Sequence, residues 1–470
     1  MKINIHVHTT HLLADTDTPV SLYLKVRDLY PKSALLESSD YHGKENSKSI
    51  IGILPLGEFR VEKGIIYQAI HKYEKQPYAV SEVDVLEELD QFMHAFHIQN
   101  KDDKQPVNGV LGYMGHEAAN YFYSYHRQEQ TECPVEQDVP EIYYLFYQFL
   151  ILIDPHKNEL ILIENCPEGE ESKTNNLLQV LQNRGLPSYE FEVDGEEMSL
   201  ITDQEHREGI EKAISLTQKG ELEQLVLSRS FYQSFRGDEF MVYRSLRSIN
   251  PSPYLFYFDF GSFRIFGSSP ETHCKVSNGK ATIDPIAGTY FRTGDDRKDQ
   301  ELAKSLLEDE KEVLEHNMLV DYALQDLREH CDQVEVEFYK QVQFYSHVIH
   351  LVSRVSGVIR PSVHSLEILA HTFPAGTLVG SPKLKALSTL SYLEKYKRGF
   401  YGGCIGYIGL NGDLTQAITI RTFLSKNNTL FYRAGGGIVA QSQPHREVQE
   451  VKSKLQALKS AIHYAKKIKR

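Results

Sequence analysis

The chain has few cysteines, no long hydrophobic run and no dense stretch of basic residues, and each absence excludes a class of protein. Its five cysteines are scattered without the C-x-x-C spacing of a zinc site, and they predict no disulfide framework. No stretch reaches the roughly 18 apolar residues needed to span a bilayer, and the N-terminus lacks the apolar core of a signal peptide. We therefore expect a protein of the reducing cytoplasm with no membrane partner.

The charge balance argues against a nucleic-acid partner. The 51 Lys and Arg residues are outnumbered by 64 Asp and Glu residues, which gives a formal net charge of −13. Basic residues are dense only in the short segment 466–470. A protein that binds the phosphate backbone needs a broader basic surface than this.

The order of apolar patterns predicts an α+β fold with largely antiparallel sheets. Short apolar runs alternate with turn residues over about 15–165, and the runs 143–153 and 160–163 form a strong hairpin signal. Helical periodicity is confined to about 203–220, 298–331 and 444–467. Strands and helices that do not alternate as βαβ units favour α+β over a parallel sheet. An acidic, polar segment predicts a domain boundary shortly before residue 200.

Paired glutamates supply the first candidate chemistry. Glu312 and Glu315 lie three residues apart on one predicted helix, and Glu447 and Glu450 have the same spacing on another. That spacing places both carboxylates of a pair on one helix face. Carboxylate oxygens suit Mg²⁺, so two pairs brought together would form a magnesium site. Such pairs are also common on solvated helix faces, and spacing alone does not decide between the two.

A glycine run and a single arginine point to an anionic ligand. Gly435, Gly436 and Gly437 follow a strand pattern and precede the last predicted helix. Glycine lets backbone N–H groups approach an anion closely, although a turn or bulge would use the same residues. The order matches neither nucleotide-binding motif. Arg421, at the end of an alternating strand, suits bidentate carboxylate binding unless it is an ordinary surface arginine.

Four further polar residues interrupt apolar segments. They are His350, Glu271 and the threonines of two Ala-Gly-Thr sequences, Thr289 and Thr377. A lone histidine in a strand is more often a satisfied core residue than a catalyst. Taken together with the glutamates and the arginine, these residues predict a site for a small dicarboxylate bound to Mg²⁺.

These residues lie in motifs that resemble those of the chorismate-binding enzymes, in the same order, over about 205–462. The motifs are GSSPE at 267–271, PIAGT at 285–289, EVLEHNMLVD at 312–321, VIHLVS at 348–353, FPAGTLVGSPK at 373–383, RGFYGGCIGY at 398–407, AITIR at 417–421 and the segment 434–450. The resemblance implies large, mostly antiparallel sheets packed as a sandwich with helices outside.

The resemblance also implies a role for each candidate residue. Chorismate would be held through its carboxylates, and Mg²⁺ would bind the four glutamates. The groups implied for the carboxylates are Arg421, Lys454, Tyr401 and the amides of Gly435, Gly436 and Gly437. Glu271 would be the general acid for loss of the C4 hydroxyl, with Thr289 and Thr377 lining the pocket. His350 would act in elimination of the pyruvyl side chain.

Within this family, two positions indicate ammonia as the nucleophile. Ala287 stands where aminodeoxychorismate synthases carry a nucleophilic lysine. Gln224 stands where the water-adding isochorismate and salicylate synthases carry a lysine base. The resemblance thus implies an anthranilate synthase large subunit, in a hetero-oligomer with a glutamine amidotransferase subunit that supplies ammonia. An aminodeoxychorismate synthase component and a catalytically inactive, tryptophan-binding regulatory subunit are the alternatives.

A second resemblance, looser in the N-terminal region 15–165, concerns feedback by L-tryptophan. The segments 35–38 and 250–257 resemble the elements of the tryptophan site of anthranilate synthases, although the second could be an ordinary buried hairpin. The implied contacts are Leu36, Glu37, Ser38, Pro253, Tyr254, Leu255 and Tyr407. The chain also departs from the family pattern at five positions, where we expect altered peripheral contacts and an unchanged reaction. These are Tyr290, Leu324, Gln325, Val379 and Ser453.

Overall fold

A computed structural model describes residues 2–38, 48–99, 108–183, 185–344 and 348–468, without the side chains of Thr289 and Phe291. The strands are β1 (Ile3–Leu13), β2 (Ala34–Ser38), β3 (Ser49–Glu62), β4 (Ile65–Ile70), β5 (Tyr73–Ala79), β6 (Phe96–Ile98), β7 (Gly109–Met114), β8 (Ile142–Asp154), β9 (Glu159–Pro167), β10 (Phe191–Ser199), β11 (Gln224–Gly237), β12 (Tyr254–Asp259), β13 (Phe263–Ser269), β14 (Thr272–Ser277), β15 (Lys280–Ile283), β16 (Ile286–Phe291), β17 (Cys331–Phe344), β18 (Val348–Ile359), β19 (Gly380–Ser381), β20 (Cys404–Gly409), β21 (Leu414–Ile418), β22 (Thr422–Lys426) and β23 (Thr429–Ile438).

The helices are α1 (Pro19–Val26), α2 (Val85–Met93), α3 (Ala119–Phe122), α4 (Thr174–Leu181), α5 (Asp203–Gln218), α6 (Phe240–Ile249), α7 (Asp296–Glu308), α8 (Glu310–Arg328), α9 (Ser365–Thr372), α10 (Gly376–Val379), α11 (Lys383–Leu393), α12 (Pro444–Lys454) and α13 (Gln456–Ala465). Within the described residues, no helix has the length and apolar character needed to cross a bilayer.

Two sheets share the long strands β3 and β8, which pair with each other. One sheet runs from β3 through β2, β12, β13, β22 and β23 to β11 and β10. The other runs from β8 through β7, β20, β21, β14 and β15 to β18, which also pairs with β16 and β17. All of these pairs are antiparallel, as the sequence predicted.

The main apolar core lies between the two sheets, where residues of β8, β12, β14 and β20 meet. A second core covers the opposite face of the first sheet and contains apolar side chains from α1, α4, α6, α12 and α13. The architecture is therefore a sandwich of antiparallel sheets with helices outside. Strands from before and after residue 200 pair directly, β2 with β12 and β7 with β20. The boundary between regions 15–165 and 205–462 stays a prediction.

Local turn chemistry explains two confirmed hairpins. Residues 142–154 and 159–167 form the antiparallel pair β8 and β9. Asn278 and Gly279 join β14 to β15 with φ angles of 51° and 74°, and both positive values are those of a type I′ turn.

The predicted helix over 298–331 was wrong as a single element. The structure has two helices, because Asp309 has an extended backbone with φ −73° and ψ 103°. Its carboxylate accepts hydrogen bonds from the N–H groups of Lys311 and Glu312, which caps the new helix α8. Cys331 is already the first residue of β17. The segment 444–467 is likewise divided, into α12 and α13, at Leu455.

Candidate active site

The three glycines lie inside β23, where Gly435–Gly437 pair with residues 226–228 of β11. They are therefore part of a sheet and do not form a turn. A β-carbon added to each glycine would meet a different side chain that the sequence singled out. In order along the strand, these contacts are the Tyr401 hydroxyl at 3.1 Å, Oε2 of Glu447 at 3.4 Å and Nε2 of Gln224 at 2.5 Å. Neighbouring side chains therefore pack directly on the strand at all three positions.

Among the described residues, no strand pairs with the outer edge of β23 at the glycines, because β22 ends before them. The N–H of Ser228 donates to Oε1 of Glu394 at 2.8 Å, so Ser228 and Gly435 form a non-hydrogen-bonded pair. The N–H and carbonyl of Gly435 thus point away from β11, and the carbonyl accepts from Nζ of Lys454 at 3.1 Å. Strand alternation directs the N–H of Gly437 to the same edge. Two N–H groups and an ammonium line this edge, as an anion site requires.

The four glutamates lie where α8 and α12 approach the sheet. Burial, and next the charge of Glu315, raises the pKa of Glu312, and its Oε2 lies 3.3 Å from a β-carbon position at Gly288. Burial also raises the pKa of Glu447, with a further contribution from Glu450. In the described part, Oε2 of Glu447 is buried without a hydrogen-bond partner. The carboxylates repel one another, although no three of them bring oxygen atoms within 4.8 Å of one another.

Glu271 follows β13 and is half-buried. Burial raises its pKa from 4.5 to about 7, while Thr377 and the charges of Lys454 and Arg421 act in the opposite direction. The Thr377 hydroxyl is buried and makes no hydrogen bond of normal geometry with a described residue. Arg421 lies between β21 and β22 with a left-handed backbone, φ 50°. Glu271 is therefore partly protonated at neutral pH, which suits a general acid.

His350 in β18 is fixed in one tautomer. Its Nδ1 lies 2.8 Å from the carbonyl oxygen of Gly288. Because a carbonyl only accepts, Nδ1 carries the proton and Nε2 has the lone pair. Burial lowers the pKa of His350 to about 4, so the ring is neutral near pH 7. A β-carbon added at Gly288 would meet Oε2 of Glu312, so one bulged segment of β16 brings the histidine near this carboxylate. The backbone of Thr289 pairs with His350, but its side chain lies outside the described residues.

Gln224 is buried at the start of β11. Its Nε2 packs against Gly437, and its Oε1 has no hydrogen-bond partner among the described residues. A buried amide oxygen without a donor costs free energy, so this position suits a ligand that donates a hydrogen bond.

Sequence reasoning missed a buried ionic cluster beneath the glycine strand. Glu394 accepts hydrogen bonds from Nε and Nη2 of Arg398 at 2.8 and 2.7 Å, and from Nη2 of Arg433 at 3.0 Å. Arg398 also donates to the carbonyls of Val226 and Leu378, which joins β11 to α10. Both arginines lie in or beside family motifs. Sequence alone does not distinguish a buried arginine from an exposed one.

The expected regulatory residues come together from distant parts of the chain. β2 and β12 are paired, with Ser38 opposite Tyr254. Leu36, Tyr254 and Tyr407 are partly buried and pack against the core between the two sheets. Pro253 is half-buried directly before β12. These side chains belong to one inter-sheet region, as a shared pocket requires.

Two expected regulatory residues, Glu37 and Leu255, lie on the other face of the sheet formed by β2 and β12. Glu37 is buried and accepts hydrogen bonds from Arg247 at 2.9 Å and from the hydroxyl of Tyr243 at 2.6 Å, both on α6. Leu255 is directly opposite Glu37 in the register, so it shares this face. The side chain of Glu37 therefore attaches α6 to the sheet.

The five departures from the family pattern differ in their burial. Tyr290 donates to Oδ2 of Asp309 at 3.1 Å, which ties β16 to the start of α8. Val379 is buried in the main core, and Leu324 packs against that core. Gln325 and Ser453 are exposed.

Comparisons with known proteins agree with the geometry. The family described as chorismate binding enzyme matches residues 39–460. Anthranilate synthase component 1 of Aquifex aeolicus is 34% identical over 97% of this chain and 94% of its own length. The crystal structure of anthranilate synthase component I from Streptococcus pneumoniae has a TM-score of 0.72 at 30% identity, covering 87% of this chain and 92% of that one. The menaquinone-specific isochorismate synthase of Escherichia coli, at 19% identity, shares the fold with a TM-score of 0.75.

Proposed function

The chain belongs to the chorismate-binding enzymes and is an enzyme of the anthranilate synthase type, and we propose how its residues convert chorismate and ammonia to anthranilate, pyruvate and water. The observation that carries the proposal is a carboxylic acid, Glu271, with a pKa of about 7 beside an arginine and the anion-binding edge of β23. Loss of a hydroxyl group as water needs a proton at neutral pH, and Glu271 holds one.

Substrate binding uses the cationic and N–H groups around β23. The carboxylates of chorismate bind Arg421 and Lys454, the N–H groups of Gly435 and Gly437, and the hydroxyl of Tyr401. The Gly436 N–H points toward β11 and contributes to the strand ladder. This divides the three glycine amides into two that bind substrate and one that holds the sheet together.

The glutamates fit a hard divalent cation, and we assign them to Mg²⁺. The supporting observation is the partnerless, buried Oε2 of Glu447 together with the raised pKa of Glu447 and of Glu312. Glu315 and Glu450 complete the set. A cation held there would neutralise carboxylate charge on the protein and on the ring of the substrate.

The buried carbonyl of Gln224 accepts a hydrogen bond from ammonia and orients its lone pair toward the ring. A lysine here would serve as a base for water, whereas an amide cannot deprotonate water. Ammonia is already a nucleophile and needs no base. As the new C–N bond forms, the C4 hydroxyl takes the proton of Glu271 and leaves as water. The ammonium group so formed then loses one proton, which restores Glu271 to its acid form.

The second half of the reaction removes the enolpyruvyl side chain and makes the ring aromatic. A ring proton must leave while the C–O bond to the side chain breaks, and the enolpyruvate then takes up a proton. His350 is suited to accept the ring proton, because the imidazole is neutral and its lone pair is on Nε2.

The relatives are named component 1, and the partner we assign is a glutamine amidotransferase subunit that delivers ammonia. We also assign L-tryptophan as a feedback inhibitor that binds between the sheets at Leu36, Ser38, Tyr254 and Tyr407. The aminodeoxychorismate synthase alternative is less favoured because Ala287 has no amine. The inactive regulatory subunit is less favoured because Glu271 and the metal-site glutamates are all present.

A product assay tests the proposal. Purified protein with chorismate, Mg²⁺ and an ammonium salt is expected to form anthranilate and pyruvate in equal amounts, followed by anthranilate fluorescence and by chromatography. Glu271→Gln should abolish turnover and keep chorismate binding. Isochorismate or aminodeoxychorismate as the main product would contradict the assignment.

A further inference from the structure

Away from the active site, three side chains that can bind metal ions converge at the junction of α8 and α9. They are Glu329, His330 and His371, and in the part of the chain that is described they alone form such a group, with ligand atoms all within 4.8 Å of one another. Oε2 of Glu329 lies 2.5 Å from Nε2 of His371. The rings of His330 and His371 meet edge to face with centroids 4.6 Å apart. All three are at least partly accessible, so an ion can reach them from solvent.

The backbone that carries the first two residues is held in place. Arg360 donates to the carbonyl of Glu329 at 2.6 Å and to that of Arg328 at 3.0 Å. Its Nε also bonds the carboxylate of Asp332 at 3.0 Å. The guanidinium therefore satisfies free carbonyls at the end of α8 and fixes the turn into β17. These bonds fix the backbone from which the side chains of Glu329 and His330 project.

The third residue is held from the opposite side. The carbonyl of His371, in the last turn of α9, accepts a hydrogen bond from the hydroxyl of Tyr123 and another from Nζ of Lys383 at 3.1 Å. Lys383 is in turn paired with Asp326 of α8 at 3.2 Å. Two fixed backbone segments thus present three ligands to one volume, as a preorganised metal site requires.

We propose that Glu329, His330 and His371 bind one divalent d-block cation, with Zn²⁺ as the reference ion, and that this ion ties the end of α8 to the end of α9. Two imidazoles and one carboxylate are a ligand set typical of zinc with one position left for water. Mg²⁺ prefers oxygen ligands and is not expected to occupy it. The site is therefore chemically distinct from the glutamate site.

The proposed zinc site lies on the same two helices that lead to active-site residues. α8 carries Glu312 and Glu315, and the residues after α9 lead to Thr377. One small cleft, with a cavity volume of about 40 Å³, is lined by Asp326 and Thr372 and also by Glu271 and Thr377. An ion at His371 would restrain both walls of this cleft.

Zinc titration of tag-free protein, stripped with a chelator and followed by calorimetry, tests the proposal without any turnover. We expect one Zn²⁺ per chain, and a dissociation constant at least about tenfold higher in His330→Asn and in His371→Asn, since loss of even an outer-shell partner costs that much. Hydrogen exchange should slow in 328–332 and 365–372 when Zn²⁺ is added, and Mg²⁺ should leave both regions unchanged.

His463→Asn, on the exposed face of α13, is the matched control and should bind Zn²⁺ as the wild type does. Glu329→Gln changes an exposed side chain, so it tests the site even if a histidine variant fails to fold. The proposal is overturned if the wild type binds no Zn²⁺, or if binding is unchanged in Glu329→Gln and His371→Asn. Anthranilate formation with Mg²⁺ is measured separately, so failure of the zinc site leaves the main function untouched.

Discussion

Oε1 of Glu394 lies 2.8 Å from both the backbone nitrogen and the hydroxyl oxygen of Ser228. The Ser228 N–H therefore points away from β23. In a non-hydrogen-bonded antiparallel pair, the N–H and carbonyl of the opposite residue, Gly435, likewise point away from β11. Glu394 thus satisfies the outward-facing N–H of β11 directly across from the outward-facing groups of Gly435.

Glu394→Gln should destabilise the protein strongly. Burial alone would raise the pKa of Glu394, but Arg398 and Arg433 hold it at about 2. Removing the charge leaves two buried guanidinium groups without a counter-ion, and we expect the free energy of unfolding to fall by about 3–5 kcal/mol. Urea denaturation measures this change. Glu129→Gln, at an exposed carboxylate, is the control, and a loss no larger than the control's would refute the structural role.

The lowered pKa of Glu394 predicts that the stability of the protein falls in acid. The folded pKa of Glu394 is below the ordinary value of 4.5, so its stabilising contribution is complete above pH 4.5 and is lost as pH falls toward 2. Denaturation midpoints measured down this range should converge for wild type and Glu394→Gln. Parallel curves would show that the pKa of Glu394 is not lowered in the folded protein.

Glu271 predicts the alkaline limit of activity. Because its pKa is about 7, the acid form is lost as pH rises through neutrality, and kcat/KM should fall above pH 7. Thr377 lowers this pKa, so Thr377→Val should move the limit to higher pH. Rate profiles with chorismate at saturating ammonium salt measure both limits. The shift in Thr377→Val fails to appear if another group sets the limit.

The raised pKa of Glu271 predicts that the acid used in the reaction lowers the stability of the folded protein at neutral and higher pH. Its folded pKa is raised, so the folded state carries no penalty below pH 4.5 and an increasing one as pH rises toward 7. Glu271→Gln resembles the protonated acid and should be more stable than wild type above pH 7, by up to about 3 kcal/mol, since each tenfold change in proton affinity is worth about 1.4 kcal/mol. The two proteins should be equally stable near pH 4. Thermal unfolding at both pH values distinguishes this result from a general stabilisation.

Gln224 predicts how the nucleophile is chosen. Gln224→Lys places a base beside Gly437, so water should compete with ammonia and a hydroxylated product should appear by chromatography. Gln224→Leu removes the buried acceptor without adding a base, and we expect a higher KM for ammonium with anthranilate still the product. If Gln224→Lys makes anthranilate alone, this position does not select the nucleophile.

Ser38 predicts the location of feedback inhibition. Ser38→Arg places a long cation on the face of β2 that points between the sheets, so tryptophan should inhibit at least about tenfold less, the effect of losing about 1.4 kcal/mol of binding. The KM for chorismate should stay close to the wild-type value. Ser277→Arg makes the same change in the hairpin end of β14 and should keep normal inhibition. Unaltered inhibition in Ser38→Arg would show that tryptophan does not bind beside Ser38.

Local patterns predicted much of the fold correctly because they depend on neighbours in the sequence. The Asn278-Gly279 turn and the β8–β9 hairpin are examples, since turn residues and strand alternation determine both. The break at Asp309 was missed because helical periodicity continues through it. An aspartate can cap a helix or sit within one, and the tertiary contact of Tyr290 with its carboxylate favours the cap.

The sequence by itself determined the family and the anthranilate synthase type, because ordered motifs, Ala287 and Gln224 can all be read without coordinates. The residues of the candidate site are likewise predictions from these motifs. Tertiary structure decided which face of β2 lies between the sheets, and so placed Ser38 there and Glu37 on the side of α6. It also revealed Glu394 with its two arginines, and the group Glu329, His330 and His371. These depend on residues distant in the chain meeting in a low-dielectric interior or at a helix junction, and no local pattern encodes such a meeting.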